Sequence, residues 1–305
     1  MRILILGAAG QLGSELCALL APEHKLTTAT RTEADVTDLE QLLALAKRTS
    51  PHVIINAAAY TDVDRAERER DRAFLVNALG ARNAAIAARE VGAKLAHVST
   101  DYVFDGGKEG PYLEFDPPNP INTYGASKLV GENLVKEQWF RFFIVRTAWL
   151  YGRTGKNFVK TILRLAREQK ELRVVNDQRG TPTWAADLAH QLARLIETDS
   201  YGTYHCTAQG SCTWFEFALE ILKGVGYEAR EELDGAVQLI PPAGLPGPVT
   251  VRPVATEEFP RPARRPKNSV LENYMLKLQG LDVMPPWEEA LAKFLGEIKE
   301  EGEKL

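Results

Sequence analysis

The sequence predicts an α/β protein, a Rossmann-type doubly wound parallel sheet with a smaller mixed C-terminal substrate domain. Three observations predict it. Short apolar runs alternate with longer amphipathic stretches up to about residue 176. Most runs are rich in Val and Ile and continuous, as expected of parallel strands buried on both faces. The first run ends in a glycine cluster, Gly7-Ala8-Ala9-Gly10-Gln11-Leu12-Gly13, where an amphipathic pattern begins.

In chain order the runs place strands at 2–7, 25–30, 52–58, 94–100, 142–148 and 171–176. Helical periodicity falls near 11–21, 38–49, 70–90, 123–138 and 157–169. Asn122 and Thr123 supply a start signal for the fourth of these helices, and Ala126, Leu129, Val130 and Leu134 give it an apolar stripe. Beyond 176 the alternation weakens. A helix follows Thr183, a strand is expected at 203–208 and another helix near 214–226. Residues 241–266 are proline-rich and read as extended, and a last helix begins near Pro286 and runs into a Glu/Lys tail. The expected organisation is a dinucleotide-binding domain over 1–150 and a mainly substrate-binding domain over 151–305, with segments such as 170–208 free to return to the first sheet.

Composition narrows the function classes. The chain has 305 residues and a net charge of −4, with both signs interspersed, so neither nucleic acid nor a membrane is an expected partner. No apolar run approaches the roughly 18 residues that cross a bilayer, and the short N-terminal run meets glycine at once, so a cytoplasmic protein is expected. Three cysteines form no disulfide framework, and five scattered histidines lack metal-ligand spacing. No metal is assigned.

The glycine cluster has a mechanical reading. Gly7 makes a tight turn, Gly10 lets the backbone approach a pyrophosphate, and Gly13 permits close helix–strand packing, while the helix N-terminus offers amides and a positive dipole end. A tight turn without ligand is the plain alternative. Where an acidic residue would hold the adenine ribose of NAD, the chain has Thr30 and Arg31. Arginine there pairs with a 2′-phosphate, which favours NADPH over NADH. Glu33 lies close enough to keep NADH open, and Arg31 could equally be a solvated surface side chain.

Tyr124 and Lys128 stand four residues apart, on one face of the predicted helix. Ketone reduction needs a hydride at carbon and a proton at oxygen, and a free phenol with a pKa of about 10 exchanges protons slowly at neutral pH. An ammonium ~4 Å away contributes about 4 kcal/mol at an effective dielectric of 20, roughly three pKa units before desolvation opposes it. The expectation is therefore that Lys128 lowers the Tyr124 pKa. Thr100, ending the fourth strand, offers a hydroxyl to the same oxygen; strand-end threonines are also common in turns.

Longer matches follow: NAAAYTDVDRAE at 56–67, STDYVFDG at 99–106, YGASKLVGE at 124–132, RTAWLYG at 146–152, DQRGTPTWAADLA at 177–189 and RPKNS at 265–269. With the glycine cluster they span nearly the whole chain, which resembles the extended short-chain dehydrogenase/reductases and, among them, the dTDP-4-dehydrorhamnose reductases. The resemblance implies NAD(P)H-dependent reduction of the C4 ketone of dTDP-4-dehydro-L-rhamnose, a nucleotide sugar, with Tyr124, Lys128 and Thr100 catalytic. It implies a cofactor site formed by Gly7, Gly10, Gln11, Leu12, Gly13, Arg31, Asp35, Val36, Ala57, Ala58, Ala59, Tyr124 and Lys128. The substrate wall would comprise Thr61, Val63, Thr100, Asp101, Tyr102 and Trp149, although small residues beside strands and a tryptophan after one are also ordinary core. Some relatives form homodimers through Mg²⁺ held by C-terminal acidic residues, and no ligands for it are assigned here.

Two rivals share these motifs. Nucleotide-sugar dehydratases carry an acidic pair after the threonine, whereas this chain reads Thr100-Asp101-Tyr102, and epimerases retain NAD. The regulatory subunit of methionine adenosyltransferase resembles the reductases without being a catalyst. The Gly/Pro-rich stretch 105–120 reads as a lid over the sugar.

Overall fold

A computed structural model describes residues 1–231, 233–243 and 247–300. Five strands, β1 (Arg2–Leu6), β2 (Lys25–Ala29), β3 (Val53–Asn56), β4 (Lys94–Thr100) and β5 (Phe142–Thr147), join Gly202–His205 in one parallel sheet. The spatial order is β2-β1-β3-β4-β5 followed by Gly202–His205. Strand order therefore reverses between β1 and β3, and the crevice at such a reversal is where open α/β sheets bind ligands. β2 lies at an edge, and its Lys25, Thr27 and Thr28 remain partly solvated, which explains why its run is the least apolar.

The period of two along β1 sends Ile3 and Ile5 to one face and Leu4 and Leu6 to the other. Ile3 and Ile5 pack with Leu12 and Leu16 of the Gln11–Leu20 helix and Leu188, Leu192 and Leu195 of the Ala185–Ile196 helix. Leu4 and Leu6 meet Leu42 and Leu45 of Leu39–Thr49 and the alanine stripe of Gly80–Val91, with Val135 of Thr123–Gln138. The first sheet thus takes a strand and a helix from beyond residue 150.

The expected 171–176 strand belongs elsewhere. Glu171–Val175 pairs in parallel with Val249–Val254 in a second sheet that continues through Val237–Ile240 to Glu228–Glu231. Phe158–Glu168, Trp214–Gly224 and Trp287–Glu300 supply the helices of this second core. The proline-rich stretch read as extended therefore contains a paired strand, with Pro253 inside it. The acidic end at 301–305 lies outside the described residues.

The helix expected over 70–90 is three pieces. Arg70–Phe74 passes into a π-helical turn, Leu75–Leu79, before Gly80–Val91 resumes α geometry. Such turns insert one residue into the helical repeat. Within this one, Asn77 accepts the Tyr60 amide at 2.8 Å and donates to Ser127 Oγ at 2.9 Å, tying the end of β3 to the Thr123–Gln138 helix.

Candidate active site

The cleft at the strand reversal has a volume of about 330 Å³. Gly7, Gly10, Arg31, Asp35, Val36, Ala57, Ala58 and Ala59 line it, together with Ala9, Thr30, Ala34, Tyr60, Arg72 and Val76. A Cβ on Gly13 would stand 2.2 Å from Gly7 O, so only glycine lets the helix sit this close to its own loop. Gly10 caps the helix without a side-chain bond, and the first turn has no acidic residue, leaving its amides and positive end open to an anion. These features fit a dinucleotide.

Gln11, Leu12 and Gly13 are not walls of this cleft. Leu12 is buried under the sheet, and Gln11 Oε1 accepts a bond from Asn157 Nδ2 at 3.1 Å. At the far end Arg31 is 73% exposed and its Nε donates to Asp35 Oδ2 at 3.1 Å. Burial works against the Asp35 anion, but bonds from the Thr37 amide and hydroxyl and from Arg31 hold its carboxyl below the usual range. Glu33 turns back to accept the Thr30 amide at 2.6 Å, which lowers its carboxyl.

Thr100, Tyr124 and Lys128 meet where β4 ends. Asn122 Oδ1 accepts the Gly125 amide at 2.8 Å and starts the helix that carries the pair. A Cβ on Gly125 would fall 2.0 Å from Tyr102 O, so this glycine brings the helix against the 101–103 turn. The electrostatics differ from the expectation. Burial pushes the Tyr124 phenol up to about 12, opposed by the Thr100 hydroxyl and reinforced by Asp101. Burial also draws Lys128 down to about 8, against the pull of Glu132, and Nζ donates to Val98 O at 2.6 Å. Lys128 therefore does not lower the phenol here: desolvation of both groups exceeds any ammonium–phenolate attraction.

His97, under the same helix, is buried and drawn well below its ordinary value by desolvation and by Lys128. Asp101 is buried, and its Oδ1 accepts the Thr100 hydroxyl at 2.9 Å. Tyr102 packs edge-on against Tyr124, ring centroids 5.9 Å apart. Trp149, at a positive φ of 43°, stacks on Trp214 at 3.4 Å, and its indole fills the space beside Gly180 that a Cβ would occupy. Thr61 is exposed and Val63 opens the short Val63–Ala66 helix.

The family model described as the RmlD substrate binding domain matches residues 1–300. The chain belongs to the RmlD family. Over 300 residues it is 39% identical to a Burkholderia thailandensis protein named dTDP-4-dehydrorhamnose reductase, covering 95% of this chain and 97% of the relative. An Escherichia coli relative of the same name is also 39% identical, with 98% of each chain covered. Among solved structures, a Bacillus anthracis dTDP-4-dehydrorhamnose reductase in complex with NADP superposes with a TM-score of 0.88 at 47% identity, covering 97% of this chain and 99% of that one.

In this RmlD-family chain the stretch read as a lid is fastened throughout. Tyr112 stacks on Phe104 at 4.2 Å and its hydroxyl donates to Asp105 Oδ1 at 2.9 Å. Asn119 donates to Asp105 Oδ2, and Lys108 pairs with Asp116. Asn268 donates to the carbonyls of Lys108 and Gly110, and Tyr112 takes the Val270 carbonyl for its amide. These contacts hold the stretch as a wall in this structure.

The 263–271 strap that holds this wall is the part of the site that sequence reasoning left unassigned. Arg265 pairs with Asp64 at 2.5 Å, and Asn122 donates to Arg264 O at 2.9 Å. Its signals are the RPKNS stretch and the arginines at 261, 264 and 265, which the sequence offers either as contacts to a substrate diphosphate or as a solvated surface. Arg72, a wall of the cleft that also lies over the Tyr60 ring, had no sequence signal. Among the described residues no group of three or more His, Cys, Asp or Glu is placed to hold a metal ion, and no helix is long and apolar enough to cross a membrane.

Proposed function

We propose that this chain catalyses NADPH-dependent reduction of the C4 ketone of dTDP-4-dehydro-L-rhamnose to dTDP-L-rhamnose. The observation that carries the reading is the convergence of Thr100, Tyr124 and Lys128 at the end of β4, joined through Asn77 to Tyr60 of the dinucleotide cleft. The names of the relatives above point to the same substrate.

A bound reduced nicotinamide supplies the hydride. Tyr124, with its proton held up to about 12, remains protonated at neutral pH and gives that proton to the ketone oxygen as the C=O π bond breaks. The phenolate left behind is reprotonated from solvent. Thr100 steadies the same oxygen, and Lys128 orients the nicotinamide ribose. Tyr102 and Trp149 form the sugar wall, with Asp101 behind Thr100 and with Thr61 and Val63 at the mouth. Gly7, Gly10 and Gly13 admit the pyrophosphate to the amides of Gln11 and Leu12. Ala57, Ala58 and Ala59 line the phosphate and ribose path, while Asp35, Val36 and Arg31 take the adenosine end, Arg31 favouring the 2′-phosphate of NADPH.

The reading extends to a division of labour between residues 1–150 and 151–305, and to a cytoplasmic homodimer, whose stoichiometry sedimentation of the purified chain checks. Its chemistry is tested by following reduced-nicotinamide absorbance with enzymatically generated ketosugar and identifying the product. Cofactor oxidation matched by dTDP-L-rhamnose supports it. Tight NADPH binding without turnover overturns it and leaves the regulatory-subunit reading.

A further inference from the structure

A hydroxyl has one proton to donate, and at Thr100 that proton is already committed. Oγ1 donates to Asp101 Oδ1 at 2.9 Å while accepting the Tyr102 amide at 3.2 Å. So arranged, Thr100 has nothing left to offer an oxygen on the substrate side. One lone pair of Oγ1 is then left for the Tyr124 hydroxyl, a neighbour close enough for Thr100 to act on it. The acceptor that holds the proton is unusual. Asp101 is 3% exposed, and Oδ2 is buried with no hydrogen-bond partner of good geometry, Ser269 being a hydroxyl close enough to favour its anion.

We propose that Asp101 is a positioning residue that sets the direction of the hydrogen bonds through Thr100 to Tyr124 and the ketone. As a neutral acid, Asp101 donates to Thr100 Oγ1. Both Thr100 lone pairs are then filled, by Asp101 and the Tyr102 amide, and its proton is free for the ketone oxygen. As a carboxylate, Asp101 accepts the hydrogen bond of the Thr100 hydroxyl, and the Tyr124 hydroxyl points to Thr100 instead of to the substrate. The inference rests on the roles given to Thr100 and Tyr124 under the proposed function.

The surroundings support a change of state in the working range. Burial raises Asp101 to about 6, opposed by the nearby Ser269 hydroxyl, by the Thr100 hydroxyl and by backbone amides. The groups around it are the Tyr102 and Tyr124 phenols, the Ser269 hydroxyl from the strap, and Arg265, which acts on Tyr102 while paired with Asp64. Lys128, one turn beyond Tyr124, is engaged with Val98 O. Tyr124 itself, at about 12, does not titrate near neutrality.

The test is kcat against pH at saturating NADPH and ketosugar for the full-length enzyme. Wild-type kcat should fall about tenfold per pH unit above a midpoint at or above 6, because bound substrate excludes more water and adds negative charge. Asp101→Asn should lose this limb while keeping its NADPH affinity, and the Lys128 limb near 8 should remain in both proteins. Ser269→Ala removes a nearby hydroxyl that favours the anion, so the midpoint should move upward by about half a unit to one unit. A wild-type limb in Asp101→Asn, or an unmoved midpoint in Ser269→Ala, overturns the proposal. Tyr124→Phe, run in parallel, separates the two readings: full turnover there refutes the catalytic assignment itself, whatever the Asp101 profile.

Discussion

Glu132→Gln should cost stability and shift the alkaline behaviour of the active site together. Glu132 lies one helical turn beyond Lys128, fully buried, and forms a bidentate pair with Arg146, Nε–Oε1 at 2.9 Å and Nη2–Oε2 at 2.7 Å. Ser99 adds a third bond to Oε1 at 2.6 Å, and the guanidinium lies over the Phe104 ring at 5.2 Å. Glutamine keeps the shape but leaves the 2%-exposed Arg146 without its counter-charge and turns an N–H toward the guanidinium. Removing one member of a buried pair costs about 3–5 kcal/mol. At roughly 2 °C per kcal/mol for a chain of this size, Tm should fall by about 6–10 °C. Glu132 is also the charge that opposes the desolvation of Lys128, so without it Lys128 falls further below about 8 and the alkaline limb of kcat moves to lower pH. Thermal unfolding and a pH–rate profile measure the two effects. Adding Arg146→Met should recover most of the stability but none of the pH shift, because an apolar replacement restores packing without restoring the charge. A Glu132→Gln protein that melts with wild type, or whose alkaline limb stays in place, refutes the reasoning.

Other perturbations test separate parts of the account. Gly13→Ala drives a methyl to 2.2 Å from Gly7 O, so NADPH affinity measured by fluorescence titration should fall at least tenfold as the glycine loop is displaced. Arg31→Ala should lower kcat/KM for NADPH about fivefold and leave NADH nearly unchanged; the effect is modest because the side chain is 73% exposed and already shared with Asp35. His205 is drawn down to about 3, first by burial and then by Arg146, so the native state binds fewer protons than the unfolded chain between pH 3 and 6.5. Its contribution is complete above 6.5 and is lost as pH falls toward 3, by about 5 kcal/mol at most. Denaturant titrations should show His205→Gln less acid-sensitive by about one proton, and an unchanged slope would count against it.

The N-terminal half was legible because its signals are local. Buried parallel strands read as unbroken apolar runs, and the glycine loop, Tyr124 and Lys128 each lie within one short segment. The second sheet was not, because Glu171–Val175 finds its partner in Val249–Val254, nearly eighty residues on, and Pro253 disguises that partner as loop. The π turn at Leu75–Leu79 escaped for another reason: one extra residue in the repeat leaves helical periodicity intact to the eye while redirecting Asn77. At the catalytic centre, residue types and spacing were legible but their electrostatics were not. Spacing suggested an ammonium acting on a phenol, whereas enclosure of both groups decides their pKa values, and enclosure belongs to the folded chain.

The measurement that bears most directly on the central claim is turnover of dTDP-4-dehydro-L-rhamnose with NADPH by wild type and Tyr124→Phe side by side, with NADPH binding measured for both. The account predicts oxidation of NADPH by wild type, a loss of about 10²–10⁴-fold in kcat for the variant, and equal NADPH affinity. Near-normal turnover by Tyr124→Phe, or no turnover by wild type with cofactor bound, would contradict it.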